Sequence, residues 1–246
     1  MTFDFVNQKP WNVPDSWEKK WCRKTLEAVL RPLNLIEGES FYLIDYYRKK
    51  IVVDLPSSLI LCGYPKELMD EEGLDFFSRI TEKDPIRTHR YKEFFNILFR
   101  YPEDLRKNVV VSYDVVVKDV NGIKYTLHHK RTPFQLDKNG NVWLFLCSCS
   151  ISPTTKPNYQ SMLINRETNE QFEFANGRFI LSDKALTHDE LSVLKWMVKD
   201  ISIAQICELT KIPEYTLNRI KRRIFDKLEV SNSRSAIHKA HLMGLV

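Results

Sequence analysis

A chain of 246 residues with 43% hydrophobic and 28% charged side chains can bury at least one proper core and is long enough for two domains. No apolar run approaches the roughly 18 residues of a membrane helix, and Met1 to Pro10 carries Asp4 and Pro10 instead of a basic, apolar export signal, so a cytoplasmic protein with no membrane partner is expected. The five cysteines contain no CxxC pair and suggest neither a disulfide framework nor a zinc site, while a formal charge of +5 permits an anionic partner without demonstrating one.

The first predicted element is an amphipathic helix over Trp17 to Leu30, with Trp17, Trp21, Leu26, Val29 and Leu30 at helical spacing, opened by Asp15 or Ser16 and closed before Pro32. Two short strands follow, around Phe41 to Tyr47 and Ile51 to Leu55, ended by the Pro56-Ser57-Ser58 break. Leu59 to Leu105 turns helical, interrupted at Gly63, Gly73, Pro85 and Pro102, with Phe94, Phe95 and Leu98 as an apolar stripe. Three stronger strands come next, Val109 to Val117, Ile123 to Phe134 and Val142 to Ile151, separated by Asn121-Gly122 and by Asp137 to Gly140, which reads as an antiparallel meander. This order predicts an α+β domain over residues 1–152, with helices covering one face of an antiparallel sheet. Residues 153–182 carry only a weak strand pattern and read as a connector.

The first 150 residues resemble a PAS domain. Leu61-Cys62-Gly63-Tyr64-Pro65-Lys66-Glu67-Leu68 is similar to the family's helix entry, and Ile80-Thr81-Glu82-Lys83-Asp84 to its histidine-proline-glutamate-aspartate region, although Thr81 and Glu82 replace the histidine and proline. The resemblance implies a domain that senses a small molecule, light or redox state, or that dimerises. An unrelated α+β sensor of similar size is the competing reading.

Residues 183–246 read as all-α. Thr187-His188-Asp189-Glu190 is a capping box, in which hydroxyl and carboxylate satisfy orphan amides at a helix start, and Val193, Leu194, Met197 and Val198 give that helix a buried face. Ser202-Ile203-Ala204-Gln205 is a second box, opening a short helix to about Thr210, with Ala204 small enough for a close helix crossing. Pro213 then suits the first turn of a third helix, Glu214 to Leu228, whose stripe is Leu217, Ile220, Ile224 and Leu228. At 100° per residue, Asn218, Arg219, Arg222 and Asp226 point away from that stripe, with Arg223 and Lys227 on its flank.

This pattern resembles the LuxR-type helix-turn-helix, from Leu186-Thr187, Glu190 and Val193-Leu194 through Ser202, Ile206, Thr216-Leu217, Ile224, Lys227-Leu228 and Val230 to Ala236, Ala240 and Gly244-Leu245. Asp200, Thr210, Pro213, Ile220 and Ser233 depart from it. The resemblance implies that Glu214 to Leu228 enters the major groove of double-stranded DNA and that Arg234 to Met243 supports a homodimer. Arginine forks suit guanine and asparagine suits adenine, so Asn218, Arg219 and Arg222 are candidates for base reading. Ser202, Thr216, Arg223 and Lys227 are candidates for the phosphate backbone. An isolated basic face would be an ordinary solvated surface; the surrounding motif favours DNA.

Cys147 and Cys149 share one strand face beside Trp143 and Phe145 and read as core-filling thiols, with a redox pair as the lesser alternative. His128 and His129 must face opposite sides of their strand, His238 and His241 lack a third ligand, and His89 alone is weak evidence for haem. No GxSxG, P-loop, GxGxxG or HExxH motif appears, so an enzyme is not expected, and no cofactor is specified. The expectation is a sequence-specific DNA-binding transcription regulator, controlled by a signal or small-molecule ligand in its N-terminal domain. The alternative is a constitutive dimeric DNA-binding protein whose N-terminal domain takes a protein partner.

Overall fold

The computed structural model describes residues 9–35, 39–55, 58–82, 84, 86–152, 161–199 and 201–246. The sequence features at Asp4, Pro56-Ser57, Lys83, Pro85 and Asp200, and the first eight residues of the predicted connector, lie outside them.

The first predicted helix is two, α1 (Asp15–Lys20) and α2 (Arg23–Leu33), because the chain turns at Trp21 and becomes extended at Cys22. Pro32 lies within the last turn of α2 instead of beyond it. A proline so near the end removes one terminal hydrogen bond and leaves the earlier turns intact. Strands β1 (Ser40–Asp45) and β2 (Lys50–Val53) form a hairpin. Short helices follow, α3 (Lys66–Glu72), α4 (Phe76–Ile80), α5 (Arg87–Leu98) and α6 (Glu103–Arg106). The meander is β3 (Val109–Lys118), β4 (Lys124–Leu136) and β5 (Val142–Ile151). Pro133 sits inside β4 at an irregularity of the β4–β5 register, where the missing amide costs no regular ladder bond.

Residues 162–181 fold as three further strands, β6 (Met162–Asn165), β7 (Gln171–Ala175) and β8 (Arg178–Leu181). They extend the antiparallel sheet from β3, giving the order β2-β1-β5-β4-β3-β6-β7-β8. The pattern is weak in sequence because these strands are four or five residues long and differ in exposure, β6 mostly buried, β7 mostly half-buried and β8 mostly exposed, with Leu163, Phe172 and Phe179 packing on the main core.

One sheet face carries that core. Alternate residues of β3, Val109 to Val117, join Tyr42 and Ile44 of β1 and Phe145 of β5 against Ile80 of α4 and Phe94, Phe95 and Leu98 of α5. The other face has two separate covers. Over β1, β2 and β5, Leu26 and Leu30 of α2 pack on Leu43, Val52 and Trp143, all buried, each contributing about 1.5–3 kcal/mol by leaving water. Over β3, β4 and β6 lies the C-terminal helical domain.

That domain comprises α7 (His188–Val198), α8 (Ile203–Thr210), α9 (Glu214–Lys227) and α10 (Ser233–Met243). Both predicted capping boxes form, at Thr187 with Glu190 and at Ser202 with Gln205. Leu217, Ile220, Ile224 and Leu228 of the α9 stripe are buried against Leu194, Ile206, Ala236 and Ala240. Ala204 is exposed, so the buried small residues are those of α10. Ile164, the partner of Val110 across the β3–β6 ladder, belongs to this helical core and ties the domain to the sheet. Gly244 ends α10 at φ 75, and a Cβ there would stand 3.0 Å from Val110 Cγ1, so glycine permits both the turn and the close approach. His128 Nε2 lies 2.8 Å from the Leu242 carbonyl and Arg166 Nε donates to the Gly244 carbonyl at 2.8 Å.

Candidate nucleic-acid interface and adjoining pockets

The α8–α9 turn is made by Thr210, whose hydroxyl donates to the Ile206 carbonyl at 2.6 Å, and by Lys211 in the left-handed region at φ 59. Pro213 then precedes α9 as its N-cap. With the apolar stripe inward, Arg219, Arg222 and Arg223 are exposed and Asn218 is half-buried. Among the described residues, Asn218, Arg219 and Arg222 engage no hydrogen-bond or ion-pair partner, leaving one carboxamide and two guanidiniums open to solvent on one helix face.

The four candidates for phosphate contact are not equivalent. Thr216 is half-buried near the start of α9. Ser202 spends its hydroxyl on the capping box, donating to Gln205 Oε1 at 2.8 Å and accepting from the Gln205 amide at 3.3 Å. Arg223 stays half-exposed, with Nε 3.2 Å from Glu190 Oε1. Lys227 turns inward, donating to Glu190 Oε2 at 2.7 Å and to the Ala185 carbonyl at 2.8 Å. Glu190 is buried and also accepts from the Thr187 amide at 2.8 Å. Burial alone would raise its pKa, but Lys227, the Thr187 amide and Arg223 together hold it below the usual carboxylate range. Lys227 thus joins the end of the outward-facing helix to the start of α7.

Four helices, the second and third joined by a tight turn and the third presenting arginines outward, define a helix-turn-helix DNA-binding domain. It is of the LuxR type, since residues 184–240 match the family model described as bacterial regulatory proteins, luxR family. No curated protein matches the chain. Among solved structures, a phage VqmA–DPO complex is 18% identical over 89% of each chain with a TM-score of 0.27. The Vibrio cholerae VqmA dimer without target DNA is 15% identical with a TM-score of 0.25, the chain spanning 63% of its length and matching over 63% of its own. A Vibrio cholerae VqmA–ligand–DNA complex is 12% identical over 89% of this chain and 88% of that one, with a TM-score of 0.26. Overlaps this low carry no argument of their own.

Between sheet and helices the α+β domain holds two adjoining pockets, each with only water-sized free space, sharing Tyr46, Tyr91, Tyr113 and Arg131 as walls. Arg131 is only 7% exposed and its guanidinium lies 5.3–5.5 Å from the ring centroids of Phe77, Tyr91 and Tyr113. Such contacts supply about 2 kcal/mol each when desolvated, against a cost of several kcal/mol for an unpaired buried ion. His129, 2% exposed, stacks on Tyr113 with ring centroids 5.6 Å apart, and its Nδ1 lies 3.1 Å from the Tyr42 hydroxyl. Burial first, then Arg131 and His128, keeps this imidazole neutral.

The cavity was not read from the sequence, although period-two alternation along β4 puts Leu127, His129 and Arg131 on one face. A buried arginine at a core register position was the available signal. Cys147 and Cys149 are buried on that same face with Phe145, as their spacing predicts, but Trp143 packs under α2 in the other core, and His128 faces the helical domain. His89 is exposed beside the Gly177 carbonyl, and His238 and His241 are exposed on α10.

Proposed function

We propose that the protein is a cytoplasmic, homodimeric, sequence-specific transcription regulator in which a small molecule held by the N-terminal domain controls DNA binding by the C-terminal one. In this reading the division falls at residues 1–152 for the sensor and 183–246 for the DNA-binding domain, with the strands inside 153–182 as the structured link. The observation that carries it is the pairing, in one chain, of a LuxR-type domain with unengaged Asn218, Arg219 and Arg222 and a cavity-bearing domain packed directly against it.

Asn218, Arg219 and Arg222 would read base edges, Thr216 and Arg223 would hold flanking phosphates, and Ser202 would do so only by releasing Gln205 Oε1. Lys227 reaches a phosphate only by leaving Glu190. A regulator acting by binding needs no catalytic constellation. The test is selection of bound sequences from random double-stranded DNA by the full chain, followed by binding measurements across a salt series. Enrichment of a shared site, with affinity falling steeply as salt rises, is expected. No enrichment, together with salt-independent binding, overturns the reading.

A further inference from the structure

Resting on the reading of the N-terminal domain as a ligand sensor, we infer that its cavity takes a small, flat organic acid, an aromatic carboxylate whose oxygens seat on Arg131. Arg131 stands at the wall common to both cavities, and no carboxylate lines either of them among the described residues. Its Nε has no hydrogen-bond partner there. A buried cation without a counter-charge is normally resolved by an anion, and arginine's planar fork favours a carboxylate over a spherical one.

The neighbouring groups do not supply that charge. Burial pushes the Tyr42 and Tyr113 phenols well up, and it raises the Cys147 thiol to about 11, so all three stay neutral. Tyr91 is the exception: burial opposes its ionisation, yet Arg131 and then Arg87 bring its pKa below the ordinary phenol value. A site that lowers a buried phenol is electropositive, and a stronger acid would satisfy it better.

Three other buried polar groups around the cavity also lack partners among the described residues: His129 Nε2, Arg90 Nη1 and Ser161 Oγ. In the tautomer where the Tyr42 hydroxyl donates to Nδ1 of the neutral His129 ring, Nε2 carries the hydrogen and is a donor. The remaining lining is aromatic, with Phe94, Phe95, Phe145 and Phe179 around the second cavity, which suits a flat ring. The free space beside these rings is water-sized in this structure, so a ligand ring enters by parting the aromatic side chains.

The experiment is thermal unfolding of the full chain with benzoate, salicylate and indole-3-carboxylate, each beside its neutral amide, at pH 7 and constant ionic strength, with inorganic phosphate as the ringless anion. A ligand that binds only the folded state raises Tm with concentration. At least one carboxylate is expected to raise Tm while its amide and phosphate do not. Arg131→Gln is expected to fold, since it removes an unpaired buried charge, and to lose this response. Arg131→Lys keeps the charge without the fork and is expected to weaken binding at least tenfold. Equal stabilisation by acids and amides, unchanged in Arg131→Gln, overturns the anion assignment and leaves a ligand sensor standing. No stabilisation by any acid or amide, with DNA selection successful, overturns both and leaves a DNA-binding protein whose cavity is not a sensor.

Discussion

Single side chains on α9 divide by what they already hold. Arg222 is exposed and unengaged, so Arg222→Ala is expected to leave the unfolding midpoint unchanged while costing about 1–3 kcal/mol at the selected DNA site and relaxing the choice of one base. Lys227 is engaged with Glu190 and the Ala185 carbonyl, so Lys227→Ala is expected to lower stability by about 2 kcal/mol, the order of a charge-assisted hydrogen bond. Binding and unfolding measured on both variants decide between them. If Lys227→Ala lowers the salt slope by about one counterion with stability intact, that lysine leaves Glu190 for the phosphate backbone. Glu190 also sets a pH dependence. Its folded pKa lies below the ordinary 4.5, so its contribution is complete above that value and is lost as pH falls through the lower folded one. Acid unfolding of the full chain is expected to lose part of its steepness below pH 4.5 in Glu190→Gln.

At the scale of elements, local chemistry explains most of what the sequence made legible. Thr187 and Ser202 announced their helices because a capping hydroxyl and the side chain three residues on act within one turn, needing no tertiary partner. Thr187→Ala is expected to cost about 1 kcal/mol, read from the unfolding midpoint in denaturant. The long strands β3 to β5 were equally legible from β-branched runs and turn residues, but β6 to β8 were not, since their order comes from pairing with β3 rather than from their own composition. The outward face of α9 followed from helical spacing alone. What spacing could not show was that Lys227 would find a buried carboxylate 37 positions earlier, or that Arg131 would close a cavity, because both depend on contacts distant in sequence. Lys211 likewise carries no turn signature, yet it holds a left-handed conformation at φ 59. Lys211→Gly is expected to unfold no earlier than the native chain, since relief of that conformation offsets the added freedom of the unfolded state.

Taken whole, the molecule places its two domains back to back. The α+β domain supplies a surface that the helical domain needs, since Ile164 lies in the helical core. Residues 183–246 expressed alone are therefore expected to retain helix content but to bind the selected site more weakly than the full chain, as measured by circular dichroism and titration. Equal affinity would show that the α+β domain contributes nothing to binding. The two faces of β3 and β4 carry a further consequence. Tyr113 looks into the cavity and its neighbour Asp114 receives His128 at 2.7 Å, while His129 lines the cavity and His128 meets the end of the DNA-binding domain. In the proposed reading, stimulus and response stand on opposite faces of one sheet, on residues joined by a single peptide bond. A ligand that bowed this sheet from within would tilt the helices resting on its other face, with no relay along the chain.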